Sequence, residues 1–257
     1  MARISVFVVS LTLTLSATAL ADTARGVVFE DANRDGVRQL GEPGLEGVRV
    51  SNGRDVVLTD EAGRYEIQAI EGEAIFVIKP SGYAVPLDAQ NKPRFFYVHQ
   101  PTGSPMGLRF PGVAPTGPLP EAIDFPLHAR EEPDTFSVVL LGDPQRRDVG
   151  ELQYFAQDII ADIRETDFAA DAAFVFSLGD IMFDNLALFE PYNQYMALLG
   201  KPVHNVHGNH DMNFDVPDHL SADAHADATW LRVFGPTTYA FDYGKAHFIV
   251  MDNVVYE

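Results

Sequence analysis

The chain has no cysteine among its 257 residues. No disulfide can staple it, and no thiolate can hold zinc or an iron–sulfur cluster. Positive charge is also short: 18 Lys and Arg stand against 37 Asp and Glu, for a formal net charge of −19. Such a surface excludes a general nucleic-acid binder, whose affinity rests on basic contacts to phosphate. The acidity mainly serves solubility, and a phosphorylated substrate is compatible with it where bound cations reverse the local field. After the first fifteen residues no apolar run is long enough to span a bilayer.

The one long apolar run, Ile4–Leu15, follows Arg3, is interrupted by Ser10, Thr12 and Thr14, and leads to Ala19-Leu20-Ala21. Residues 1–21 therefore read as a secretory signal peptide cut before Asp22. The expected product is exported, periplasmic or extracellular, with no transmembrane segment. Without disulfides, bound metal becomes a natural structural constraint.

Residues 22–128 carry short β-type runs at Gly26–Phe29, Val48–Ser51, Val56–Leu58, Tyr65–Ile67 and Ala74–Ile78, with Asn52-Gly53 and Glu61-Ala62-Gly63 as turns. They predict an all-β unit, a small β-sandwich. Inside it, residues 31–42 (DANRDGVRQLGE) fit a twelve-residue calcium loop. Asp31, Asn33 and Asp35 supply side-chain oxygens, Gly36 the sharp turn, Val37 a carbonyl and Glu42 a bidentate carboxylate. A structural calcium ion is expected there. The phrases Gly44-Leu-Glu-Gly-Val-Arg-Val, Thr59-Asp-Glu-Ala-Gly-Arg-Tyr and Lys79-Pro-Ser-Gly-Tyr resemble repeat modules of bacterial adhesins, and equally the transthyretin-like domain that precedes some secreted phosphoesterases. Eight prolines between 101 and 133 mark a semi-rigid linker, ending over residues 129–134.

From residue 135 the rhythm becomes strand–helix–strand. Phe136–Leu141 reads as a strand buried on both faces and Ala172–Leu178 as the next, while Val203 and Val206 head a third. Leu152, Phe155, Ala156, Ile159, Ile160 and Ile163 recur at helical spacing, and Pro191 opens a helix that Gly200 closes. Repeated units of this kind predict a parallel α/β sheet. Each strand ends in polar chemistry: Gly142-Asp143-Pro144-Gln145, Gly179-Asp180, and Gly208-Asn209-His210-Asp211. Ligands of open α/β sheets bind at such carboxyl ends.

If the strands are parallel neighbours, Asp143, Gln145, Asp180 and Asn209 offer oxygen ligands to two divalent ions, with Asp180 as the bridge. Two ions on the order of 4 Å apart activate a water and neutralise the oxygens of phosphoryl transfer. His210 follows a ligand directly and is placed to donate to the phosphate and protonate the leaving group, and either Asp211 or Asp184 can hold its other nitrogen.

These blocks resemble the calcineurin-like metallophosphoesterases, Gly179–Asn185 being similar to the family's second block and Gly208–Asp211 to its third. Residues 234–253 are similar to a strand pair that follows in secreted members. The resemblance implies a hydrolase using two ions of the Mn, Fe, Zn or Mg class, with a metal-bound hydroxide attacking a phosphomonoester or phosphodiester on a small-molecule or macromolecular substrate. Two departures stand out. Gln145 occupies a position that is usually histidine, and the family's further histidine ligands come from blocks downstream of a strand like His247–Asp252, where this chain has only a few residues. The 135–257 part is therefore expected to be an incomplete phosphoesterase α/β sandwich, inactive alone. Two other readings stay open: a calcium-stabilised surface or adhesion module with a non-catalytic phosphoesterase-like scaffold, and a non-hydrolytic binder of phosphorylated ligands.

Overall fold

The structure, a computed structural model, describes residues 22–217 and 219–255; the leader expected over 1–21 lies outside them. Residues up to 129 build two four-stranded sheets. The first has the order β4-β1-β8-β6, from β1 (Thr23–Glu30), β4 (Arg64–Gln68), β6 (Tyr83–Ala84) and β8 (Phe125–Ala129). The second, antiparallel throughout, has the order β3-β2-β5-β7, from β2 (Arg49–Ser51), β3 (Val56–Leu58), β5 (Glu73–Ile78) and β7 (Phe96–His99). Alternating side chains of both sheets, among them Val28, Ile67, Val50, Ile75 and Leu127, share one apolar core.

Strand β8 lies inside the proline-rich stretch expected to be a linker. It pairs parallel to β1, with Pro126 opposite Phe29. Pro126 lacks a donor for the ladder, and its presence disguises a central strand as loop. Upstream of it, Phe110 is buried, and its carbonyl accepts from Asn213 Nδ2 at 2.8 Å. The stretch is thus anchored at Phe110 and again from Ile123 through β8.

The second half has a parallel sheet of order β11-β10-β9, from β9 (Ser137–Gly142), β10 (Ala172–Leu178) and β11 (Val203–Val206). β10 is central and buried from Ala172 through Ser177. β9, expected to be buried on both faces, is instead an edge strand: only Val139 is fully covered, and Leu140 is 57 % exposed. One face of β10 presents Val175 to the helices and the other presents Phe174 and Phe176 to a hairpin, β12 (Tyr239–Tyr243) and β13 (Ala246–Val250). Phe174 stands edge-on to Phe241 and Phe248, at 5.4 and 5.2 Å between centroids.

The helix expected after β9 is broken into α1 (Val149–Tyr154), a π-helical stretch Phe155–Ile160, and α2 (Ala161–Glu165). Wider π turns advance the register, so Ile160 is buried while Ile159 is 44 % exposed, against the 3.6-residue expectation. A short α3 (Asp167–Ala170) leads into β10, and α4 (Phe189–Ala197) buries Tyr192 and Met196 before Gly200 turns the chain at φ 63°. α5 (Ala222–Ala226) and α6 (Ala228–Val233) follow, and α6 seats Trp230 in the core beside Phe189. Among the described residues no helix is long and apolar enough to cross a membrane.

The two halves meet at Lys79. Asp242 N–H donates to its carbonyl, and its Nζ is 2.7 Å from Glu132, which is 2 % exposed. Burial pulls the Lys79 pKa down, against the pull of Glu132.

Candidate metal centre

The polar strand ends are brought level by the register of the parallel sheet. Gly142 pairs with Leu178, and Leu178 with Val206. With neighbouring strands about 4.8 Å apart, the three carboxyl ends span about 10 Å. Asp143 therefore leaves its strand beside the Gly179-Asp180 turn, with Asn209 on the far side of that turn.

Here the backbone is bent hard. Asp143, Gln145, Asp180 and Asp184 have φ of 48°, 41°, 43° and 61°, four of only six non-glycine residues with positive φ among those described. Each such residue costs on the order of 1 kcal/mol and persists only where its surroundings over-determine it. The determinants are visible. Gln145 N–H donates to the Asp180 carbonyl at 2.8 Å, and Gln145 Nε2 to Asp180 Oδ2 at 3.0 Å. Asp180 Oδ1 accepts from the His210 N–H at 3.0 Å. Gly208 is the only residue that fits beside this turn: a Cβ there would stand 2.1 Å from the Asp180 nitrogen and 2.3 Å from its Oδ1.

The imidazole of His210 is fixed from two directions. Its Nδ1 lies 2.7 Å from Asp184 Oδ1, and its ring stacks on Phe183, 4.3 Å between centroids at 20°. Phe183 carries the Arg147 guanidinium on it at 4.8 Å. Of the two carboxylates open for His210, Asp184 makes the contact. Asp211 does other work: fully buried, it accepts from the N–H groups of Ile181, Met182 and Gly208, tying the second and third blocks together. Burial pushes its pKa up to about 7, against the lowering effect of two of those bonds.

The structure thus joins Gln145, Asp180, His210 and Asp184 by direct bonds and sets Asp143 and Asn209, both exposed, at the same edge. The donor atoms are oxygens, the set preferred by hard divalent cations. The Gln145–Asp180 bond links two candidate ligands through Nε2, so Oε1 is the Gln145 atom that could bind a cation. These residues fit a divalent ion. The calcium-type loop lies far along the chain in the first half. There Asp31 accepts from Asp35 and Gly36 N–H, Asn33 from Asp35 N–H, Asp35 from Val37 N–H, and Glu42 from Ala32 and Gln39 N–H.

Sequence reasoning did not single out the Phe183 stack or a second cluster in which His207 lies between Asp227 and Asp252. Burial alone would push the His207 pKa down, but Asp252 and Asp227 hold it above its ordinary value; burial pushes Asp227 up to about 6. No spacing rule links positions 207, 227 and 252, and only the fold makes them neighbours.

Residues 32–113 match the family model described as the N-terminal of calcineurin-like phosphoesterase. The match spans 82 of the chain's 257 residues, all of them ahead of the strand-end site. The matched stretch lies in the sheets of the first half, so the strand-end residues rest on their own geometry. No curated protein matches the chain. A solved structure similar to it is the purple acid phosphatase PPD1 from yellow lupin (Lupinus luteus) seeds, 14 % identical with a TM-score of 0.33. The alignment covers 79 % of this chain and 38 % of that protein.

Proposed function

We propose that the chain is the metal-binding part of an exported phosphoesterase that hydrolyses a phosphomonoester or phosphodiester. The level ends of β9, β10 and β11, with four strained residues there, Gln145 bonded to Asp180 and Asp184 to His210, carry this reading. Bound between Asp143, Gln145, Asp180 and Asn209, two divalent ions would supply charge neutralisation and an activated water. Asp180 orients Gln145 and the His210 backbone. His210, steered by Asp184 through Nδ1 and by Phe183 through its face, presents its other ring nitrogen as donor to a phosphate or leaving oxygen. Arg147 adds a cation at the rim. The eight strands of the first half act in this reading as a β-sandwich spacer stabilised by calcium at residues 31–42.

The test is manganese titration of the chain by calorimetry, together with hydrolysis of bis-p-nitrophenyl phosphate by the protein that carries it. Asp180→Asn is expected to abolish tight manganese binding and lower hydrolysis by about 10³-fold, the scale of losing a main electrostatic stabiliser. Unchanged binding and rate in that variant would sink the site assignment. Absence of both in the unmutated protein would favour the adhesion-type module with a non-catalytic scaffold.

A further inference from the structure

Two residues before Asn209, the ring of His207 points to chemistry that the strand-end site does not use. Its side chain is 0 % exposed, with Nδ1 3.2 Å from Asp252 Oδ2 and Nε2 3.4 Å from Asp227 Oδ1. Neither nitrogen achieves hydrogen-bond geometry. Trp230 stands edge-on to the ring, 4.9 Å between centroids, and closes one side. Asp227 comes from the junction of α5 and α6, and Asp252 lies just beyond β13.

A buried imidazole without a hydrogen bond on either nitrogen leaves a real cost, since both ring atoms have lost water. Charge points the same way. Two carboxylates and a neutral imidazole carry two negative charges, which one divalent ion brings to zero. The distances also suit an ion better than a proton. Ligands bound to zinc at about 2.0–2.2 Å in a tetrahedron stand roughly 3.4 Å apart, the spacing found between Nε2 and Asp227, so an ion on Nε2 asks Asp252, now 3.2 Å from Nδ1, to swing toward it. An N–H···O bond to a carboxylate is shorter, about 2.7–2.9 Å. One ligand atom from each of the three residues can be chosen so that all lie within 4.8 Å of one another, and closure on an ion draws them in to roughly 3.4 Å.

We propose that His207, Asp227 and Asp252 form a structural divalent-cation site of the zinc class. It ties the end of β11 to the α5–α6 junction and to the end of β13, a cross-link of the kind that a cysteine-free chain cannot make with sulfur. Because His207 is two residues from Asn209, the same ion stiffens the backbone that carries Asn209 and His210. The inference does not depend on the phosphoesterase reading.

The test uses the whole chain carrying Asp180→Asn and Asn209→Ala, so that the strand-end ligands are disabled, with cobalt(II) as the probe after chelator dialysis. The expected result is one cobalt per chain with the strong visible bands of a four-coordinate nitrogen–oxygen site, and a melting temperature raised by about 5 °C. The all-oxygen loop at residues 31–42 would give only weak bands. Added to that background, Asp227→Asn and Asp252→Asn should each remove the bands and the thermal shift while far-ultraviolet circular dichroism stays unchanged. Asp227, 38 % exposed, is the variant least able to harm folding. Retention of the bands in either variant, or no such bands in the parent background, overturns the proposal and leaves a buried ion pair. Activity is read nowhere in this test, so its failure is separate from failure of the hydrolase reading.

Discussion

In the loop at residues 31–42, each carboxylate is held by backbone N–H groups no more than ten positions away, as Glu42 is by Ala32. At the strand ends, Asp180 is held by groups 30 and 35 positions away, His210 N–H and Gln145 Nε2. The first cluster can close with little help from the rest of the chain. The second exists only after β9, β10 and β11 have paired in one register. Local closure gives a cluster that serves its own neighbourhood. Long-range closure stores strain, at four positive-φ residues, in a place that opens to solvent. On the proposed reading that difference separates a chemical site at the strand ends from a structural loop, and it can be broken by substitution.

The largest expected effect is at His210. If the imidazole donates to the leaving oxygen, His210→Ala lowers kcat by about 10²–10⁴-fold with manganese binding retained, the range for a lost general acid. The loss should shrink for esters with acidic leaving groups, which need no proton. A rate drop equal across leaving groups, or accompanied by metal loss, would assign His210 to metal or substrate binding instead. Next is Gly208→Ala. The new Cβ meets Asp180 backbone at 2.1 Å, an atom that cannot swing aside. Overpacking of this kind costs about 1–3 kcal/mol, read as a lowered denaturation midpoint, and it should weaken manganese binding because the displaced residue is the candidate bridge. A fully stable variant with normal manganese affinity would mean that the two turns are not locked together.

The same contrast explains what was legible in the sequence. The calcium-type loop could be read because its partners are written within twelve consecutive positions. The strand-end residues could be read because each Gly-Asp or Gly-Asn follows an apolar run, and parallel pairing levels the ends of such runs. The order β11-β10-β9 could not be read, so β9 was expected to be buried on both faces and proves to be an edge. Strand β8 was hidden because Pro126 carries a loop signature although its missing N–H is tolerated beside β1. Ile159 was misassigned because a π turn changes the period within a single helix. Asp211, adjacent to His210 in sequence, was a natural orienting candidate, but its bonds to Ile181 and Met182 show it as the bolt between blocks. The His207 cluster left no trace in spacing at all.

The smallest expected effect lies on the loop side, and there its smallness is the point. Asp31 is 1 % exposed and its carboxylate accepts from two loop N–H groups, while His128 Nδ1 is 3.2 Å from its carbonyl. Asp31→Asn keeps the size but removes one charge-assisted acceptor, at a cost of about 1–2 kcal/mol. Calcium should raise the melting temperature of the unmutated chain and leave that of Asp31→Asn unchanged, since position 1 supplies a ligand oxygen. Hydrolysis under saturating manganese should be the same in both proteins, because among the described residues no hydrogen bond or ion pair joins the loop to β9, β10 or β11. Loss of hydrolysis in Asp31→Asn at a temperature where it is fully folded would show that the two clusters communicate, and the division between a locally closed structural loop and a long-range chemical site would have to be given up.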